Sequence, residues 1–136
     1  MLYPIFVFMN ESGTYDGYFP DVDGCFFSGD SLEAAVRDAE TAFGQHMEVF
    51  TEMGNPVIVP RDPAGWLGDS RLQEDGGFLT LIELDPAKYE RKAIKFNLTM
   101  PGNLLTAIDR YIEKNGHFRN RSAFLSELAR KELARG

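Results

Sequence analysis

The stretch Lys95-Phe96-Asn97-Leu98-Thr99-Met100-Pro101 decides how the second half of this chain is read. Phe96, Leu98 and Met100 alternate with Lys95, Asn97 and Thr99, and Ile94 extends the apolar set backwards. That is the period of a strand with one face buried and the other free. Pro101 ends the ladder, because it has no N–H to donate and its fixed φ suits the entry to a helix. Beyond it, Leu104, Leu105, Ile108, Tyr111 and Ile112 share a helical face, and Gly116 closes the helix after Lys114-Asn115. Asn120 is placed to cap a last helix whose apolar face is Phe124, Leu125, Leu128 and Leu133, flanked by Ala129 and Ala134.

One strand and two helices cannot satisfy the strand's own ladder, nor bury enough surface to stand alone. Two copies solve both problems. Paired antiparallel, the strands of two chains supply each other's hydrogen bonds, and Ile94, Phe96, Leu98 and Met100 of both form a dimer core over four helices. The outer face of that two-stranded ribbon carries Lys95, Asn97 and Thr99 from each chain. A ribbon of this width fits the major groove of DNA, where Asn pairs with adenine, Lys reaches guanine or a phosphate, and Thr meets base edges or a thymine methyl. The start of the final helix adds Arg119, Asn120, Arg121 and Ser122, whose free N–H groups and positive charge suit a backbone phosphate.

The charge distribution agrees. Net charge is −7, yet residues 1–90 hold four basic residues against seventeen acidic ones, while residues 91–136 hold ten basic against four acidic. A basic rear part suits a polyanion and an acidic front part suits a basic partner. No run of eighteen apolar residues is present, so no transmembrane helix and no membrane partner are expected. Met1 to Met9 lacks a positively charged leader and reads as a first strand, and the single Cys25 forms no internal disulfide, so a cytoplasmic location is expected.

In the front part, Asn10 to Gly13 reads as a turn, Thr14 to Phe19 as a second strand and Cys25 to Ser28 as a third, giving an antiparallel meander. Asp30 or Ser31 caps a helix whose apolar positions are Leu32, Ala35, Val36, Ala39, Phe43, Met47, Phe50 and Met53, ended by Gly54-Asn55-Pro56. Val57 to Val59 reads as a short edge strand, residues 57–76 otherwise as a loop seated by Trp66-Leu67, and Phe78 to Leu84 as a strand. Ala87 to Lys92 reads as a linker, so the expected domains are 1–88 and 92–136.

No catalytic constellation emerges. Asp16, Asp21, Asp23 and Asp30 lie close in sequence and suit a metal or acid–base chemistry, but Asp beside glycine in turns more often caps backbone N–H groups. Two histidines and one cysteine, far apart, make no zinc site or nucleophile–base pair. No catalytic residue, no metal and no cofactor are expected, and the chain is not read as an enzyme.

Lys95 to Pro101, the helix ending at Asn115-Gly116, and Asn120-Arg121-Ser122 together resemble the ribbon-helix-helix repressors of the Arc and MetJ type. In the front part, Tyr18-Phe19-Pro20-Asp21-Val22-Asp23-Gly24-Cys25-Phe26 followed by Gly29-Asp30-Ser31-Leu32-Glu33-Ala34-Ala35 resembles the opening of the HicB-type antitoxins. The two resemblances imply an α+β protein: an N-terminal antiparallel sheet with a packed helix, of partial ribonuclease-H-like fold, followed by a C-terminal ribbon-helix-helix domain. They imply an antitoxin of a type II toxin–antitoxin system that binds and blocks a small basic ribonuclease, a HicA-type mRNA interferase, and represses its own operon by binding operator DNA. A homodimer through residues 92–136, already called for by the strand's unsatisfied ladder, agrees with the ribbon-helix-helix resemblance, with a tetramer through the acidic domain as a further option. The alternatives left by the residues are a ligand-responsive ribbon-helix-helix repressor with an N-terminal sensor domain, and a hydrolase built on the four aspartates.

Overall fold

The outer strands of the front half close around one central strand. β1 (Leu2–Met9) pairs with β2 (Tyr15–Tyr18) on one side and β4 (Phe78–Glu83) on the other, and β3 (Phe26–Gly29) adds beyond β2. The order is β3-β2-β1-β4, with every pair antiparallel. This computed structural model describes residues 1–135 and divides into two compact units, Met1–Arg91 and the residues from Lys92 on.

In the front unit, alternation along β1 sends Tyr3, Ile5 and Val7 into a core shared with Phe19, Val22, Cys25 and Phe27. α1 (Leu32–Glu52) covers that face with Ala35, Ala39, Phe43 and Met47. The rings of Tyr3 and Phe43 meet at 4.7 Å, and Phe43 also meets Phe19 at 5.6 Å. The sheet's other face is covered too. Phe6 lies beneath Trp66 at 6.1 Å, and the Arg71 guanidinium stacks 5.4 Å from both Phe6 and Tyr18. Gly17 is required by close approach, since a Cβ there would collide with the Phe6 carbonyl oxygen and the Phe27 ring.

Ser31, rather than Asp30, caps α1, its hydroxyl accepting from the Ala34 N–H at 3.1 Å. Several expectations need correction. Phe50 is only half-buried and Met53 is exposed, and the last inward position of α1 is Thr51, whose hydroxyl donates to the Met47 carbonyl at 2.9 Å. Val57 to Val59 makes no ladder. Val57 is instead buried, and the Ile58 carbonyl accepts from the Tyr3 hydroxyl at 2.6 Å. The supposed loop holds a 3-10 turn at Pro63–Trp66 and the short helix α2 (Ser70–Glu74), capped by Asp62 and Asp69. Trp66 does seat this segment on the sheet, but Leu67 is exposed. The supposed linker begins with a 3-10 turn, Pro86–Tyr89, whose Tyr89 ring packs 5.9 Å from Phe43, so the front unit runs past residue 88.

In the rear unit, α3 (Gly102–Asn115) and α4 (Arg121–Arg135) form a helical hairpin. Gly116 ends α3 at φ +56°, the left-handed conformation that favours glycine. Tyr111, Phe118 and Phe124 gather at the turn with ring separations of 5.2–6.4 Å. The strand expected over residues 94–100 does not form within the single chain, where residues 90–101 carry neither helix nor strand. The physical reason is the one that made a second chain necessary: a ladder needs a neighbouring backbone, and here none lies alongside.

Candidate nucleic-acid interface

The rear unit buries almost nothing by itself. Ile108 is its only buried hydrophobic side chain among the described residues, while Ile94 is 85% and Phe96 79% exposed. Leu98, Leu104, Tyr111, Leu128 and Leu133 are exposed as well, and Met100 is half-buried. Three of the four residues expected to form a dimer core, Ile94, Phe96 and Leu98, are therefore uncovered in the single chain, and Met100 is partly so. Lys95, Asn97 and Thr99, which alternate with them, are likewise exposed.

The start of α4 is organised. The Asn120 side-chain oxygen accepts from the Ala123 N–H at 2.9 Å, as an N-cap does. Ser122 and Arg119 are exposed. Arg121 is committed elsewhere than the sequence suggested: its Nε donates to Asp109 Oδ1 and its Nη2 to Oδ2, 2.8 Å each. The hydrogen bonds to Arg121 hold the Asp109 carboxyl below the usual carboxylate range, and the same bonds raise Arg121. Asp109, Ile112, Asn120, Arg121 and Ser122 line an open hollow of about 410 Å³. Asp109 was missed in the sequence, because a partnership twelve residues apart across a helical hairpin leaves no periodic mark.

In the front unit the four aspartates do not assemble. Among the described residues no group of three or more His, Cys, Asp or Glu side chains could hold a metal ion. Asp16 accepts from Asn10 Nδ2 at 3.4 Å. Asp21, whose side chain is 2% exposed, accepts from the Arg61 backbone N–H at 3.2 Å. Burial raises the Asp21 carboxyl above its ordinary value, against the opposing pull of the Arg61 N–H and charge and of the nearby Trp66 indole. Asp21 Oδ2 and Trp66 Nε1 are both buried outside hydrogen-bond geometry. Cys25 and His46, distant in sequence, do line one groove of about 460 Å³ beside Phe26, Val49, Phe50 and Met53. They make no nucleophile and base, because burial pushes the Cys25 thiol up to about 11 and leaves it protonated at neutral pH.

Residues 3–129 match the family of HicB-like antitoxins of bacterial toxin–antitoxin systems. This chain belongs to that family. HicB-like antitoxins are toxin-neutralising proteins rather than enzymes. Among solved structures, this HicB-like chain is similar to the antitoxin HicB3, at 53% identity over 97% of both chains with a TM-score of 0.78. It also resembles a chain of the HicA3–HicB3 toxin–antitoxin complex, at 46% identity over 63% of this chain and 100% of that one, TM-score 0.57. The Burkholderia pseudomallei antitoxin HicB shares the fold at 24% identity over 98% of both chains, TM-score 0.61. An uncharacterised 14.9 kDa protein from the rep–hol intergenic region of Haemophilus phage HP1 (strain HP1c1) is 33% identical over 98% of each chain. Mixed α+β architecture with a four-stranded antiparallel sheet is thus common to this HicB-like antitoxin and its solved relatives. No helix among the described residues is long and apolar enough to cross a membrane.

Proposed function

We propose that this chain neutralises a HicA-type ribonuclease toxin through its front unit, a partial ribonuclease-H-like domain, and represses its own operon through a ribbon-helix-helix dimer formed by residues 92–136. The observation that carries the toxin reading is the 53% identity to HicB3 over nearly the whole of both chains. Support for the front unit comes from the HicA3–HicB3 complex, whose matching chain corresponds to 63% of this one. That is far more than the rear unit could supply, and close to the length of Met1–Arg91. The excess of acidic residues in the front half suits a basic partner.

The DNA reading rests on the exposed apolar row of Ile94, Phe96 and Leu98, which lacks a cover in the single chain. A second copy covers that row and completes its ladder at once. Lys95, Asn97 and Thr99 then face the major groove, while Asn120, Ser122 and Arg119 meet a phosphate, with Arg121 beside them. A cytoplasmic location follows, because both the messenger RNA substrate of such a toxin and the operator lie there.

The test is an RNA-cleavage assay with the toxin encoded beside this chain. Equimolar full-length protein should stop cleavage, and the two should elute as one complex. Undiminished cleavage at a tenfold excess of this chain would overturn the antitoxin reading.

A further inference from the structure

The fork between Asp109 and Arg121 has a consequence for DNA binding that depends on the DNA reading of the rear unit given above. Both carboxylate oxygens are engaged, at 2.8 Å, by two different nitrogens of Arg121, and both side chains remain about half exposed. The carboxylate lines the same hollow as Asn120 and Ser122, where free N–H groups and the helix dipole favour an anion. A phosphate arriving there meets a guanidinium whose charge is already cancelled. Binding it releases fewer counterions than the count of basic residues implies.

We propose that Asp109 is a built-in counter-charge at the phosphate-contacting end of α4, which lowers affinity for DNA of every sequence. It touches no base, so it weakens promoter and unrelated DNA alike. The two N–H groups of Arg121 Nη1 lie outside the fork and remain open to a phosphate oxygen, so Arg121 still contributes a directed contact.

The test is fluorescence anisotropy with the full-length chain, its own promoter duplex and an unrelated duplex of equal length, across about 50 to 200 mM salt. Asp109→Asn keeps the side-chain shape and removes the charge. Both duplexes should bind about fivefold to tenfold tighter at about 100 mM salt, with the log–log salt slope steeper by about two, roughly 0.9 for each chain of the dimer. Arg121→Gln should weaken binding in both backgrounds, and more in the Asp109→Asn background, where the guanidinium's charge is no longer offset. Asp109→Ser, with helix content and dimer size checked, repeats the test if the amide disturbs the hairpin. Weaker binding by Asp109→Asn with fold and dimer intact would make Asp109 an orienting group for Arg121 and overturn the proposal. Unchanged affinity and slope would overturn it as well. Failure of the unmodified chain to prefer its promoter would instead remove the DNA reading itself.

Discussion

The Tyr3 hydroxyl, on the first strand, donates to the carbonyl of Ile58 at 2.6 Å, fifty-five residues away. A side chain here does what a ladder does elsewhere, and it holds the segment after α1 against the sheet without strand pairing. Burial raises the phenol above its ordinary pKa, with the Asp21 charge adding to the effect, so it stays a donor at any physiological pH. Tyr3→Phe keeps the ring against Phe43 and leaves the Ile58 carbonyl unpaired. Chemical denaturation should show a loss of about 1–3 kcal/mol, with the m-value unchanged.

Asp21 sets a pH dependence of opposite sign to that of most carboxylates. Its folded pKa is raised chiefly by desolvation, so between the unfolded and folded values the folded state holds the extra proton. This group therefore favours folding at low pH, and its contribution is lost as pH rises through the folded pKa. Asp21→Asn removes that titration. The melting temperature of the variant relative to the wild type should climb as pH increases from about 4, and a flat difference from pH 4 to 7 would contradict the assignment.

Cys25 is 2% exposed, and burial holds its thiol protonated. Native protein treated with iodoacetamide at pH 7.5, about the working pH of such assays, should stay unmodified by mass spectrometry while denatured protein is alkylated completely. Rapid native labelling would mean that the groove beside His46 opens.

Phe96 is the best single handle on self-association, being the largest exposed side chain of the apolar row. Phe96→Asp places a charge where two copies are to meet and should leave the chain monomeric in sedimentation. DNA binding should vanish with the dimer, while toxin neutralisation by the front unit persists.

Much of this fold was legible because apolar runs, helical periods and caps stand where the elements are. β1 is an unbroken apolar run buried on both faces, Ser31 and Asn120 sit before apolar helical runs, and Gly116 and Pro101 mark the ends that their backbones require. Where side chains rather than periods decide, the reading failed. Val57 to Val59 has the composition of a strand, but the Tyr3 hydroxyl and not a neighbouring backbone takes the Ile58 carbonyl. α2 has five residues, too few to show a helical repeat, and is announced only by its Asp69 cap. Phe50 and Met53 continue the apolar spacing of α1, but among the described residues nothing covers them fully. The candidate DNA face was legible as a pattern of residue types, but the engagement of Arg121 by Asp109 was not, since neither residue's neighbours encode it.

DNA reading by Lys95, Asn97 and Thr99, as proposed, requires a base-specific defect when one of them is removed. It is tested most directly by titrating the promoter duplex with full-length protein and with Asn97→Ala, in parallel with duplexes altered one base pair at a time. The expected result is a loss of about 1–3 kcal/mol on the promoter, with relaxed preference at one adenine-containing position in each half-site. Equal affinity and unchanged base preference in the Asn97→Ala dimer would contradict it.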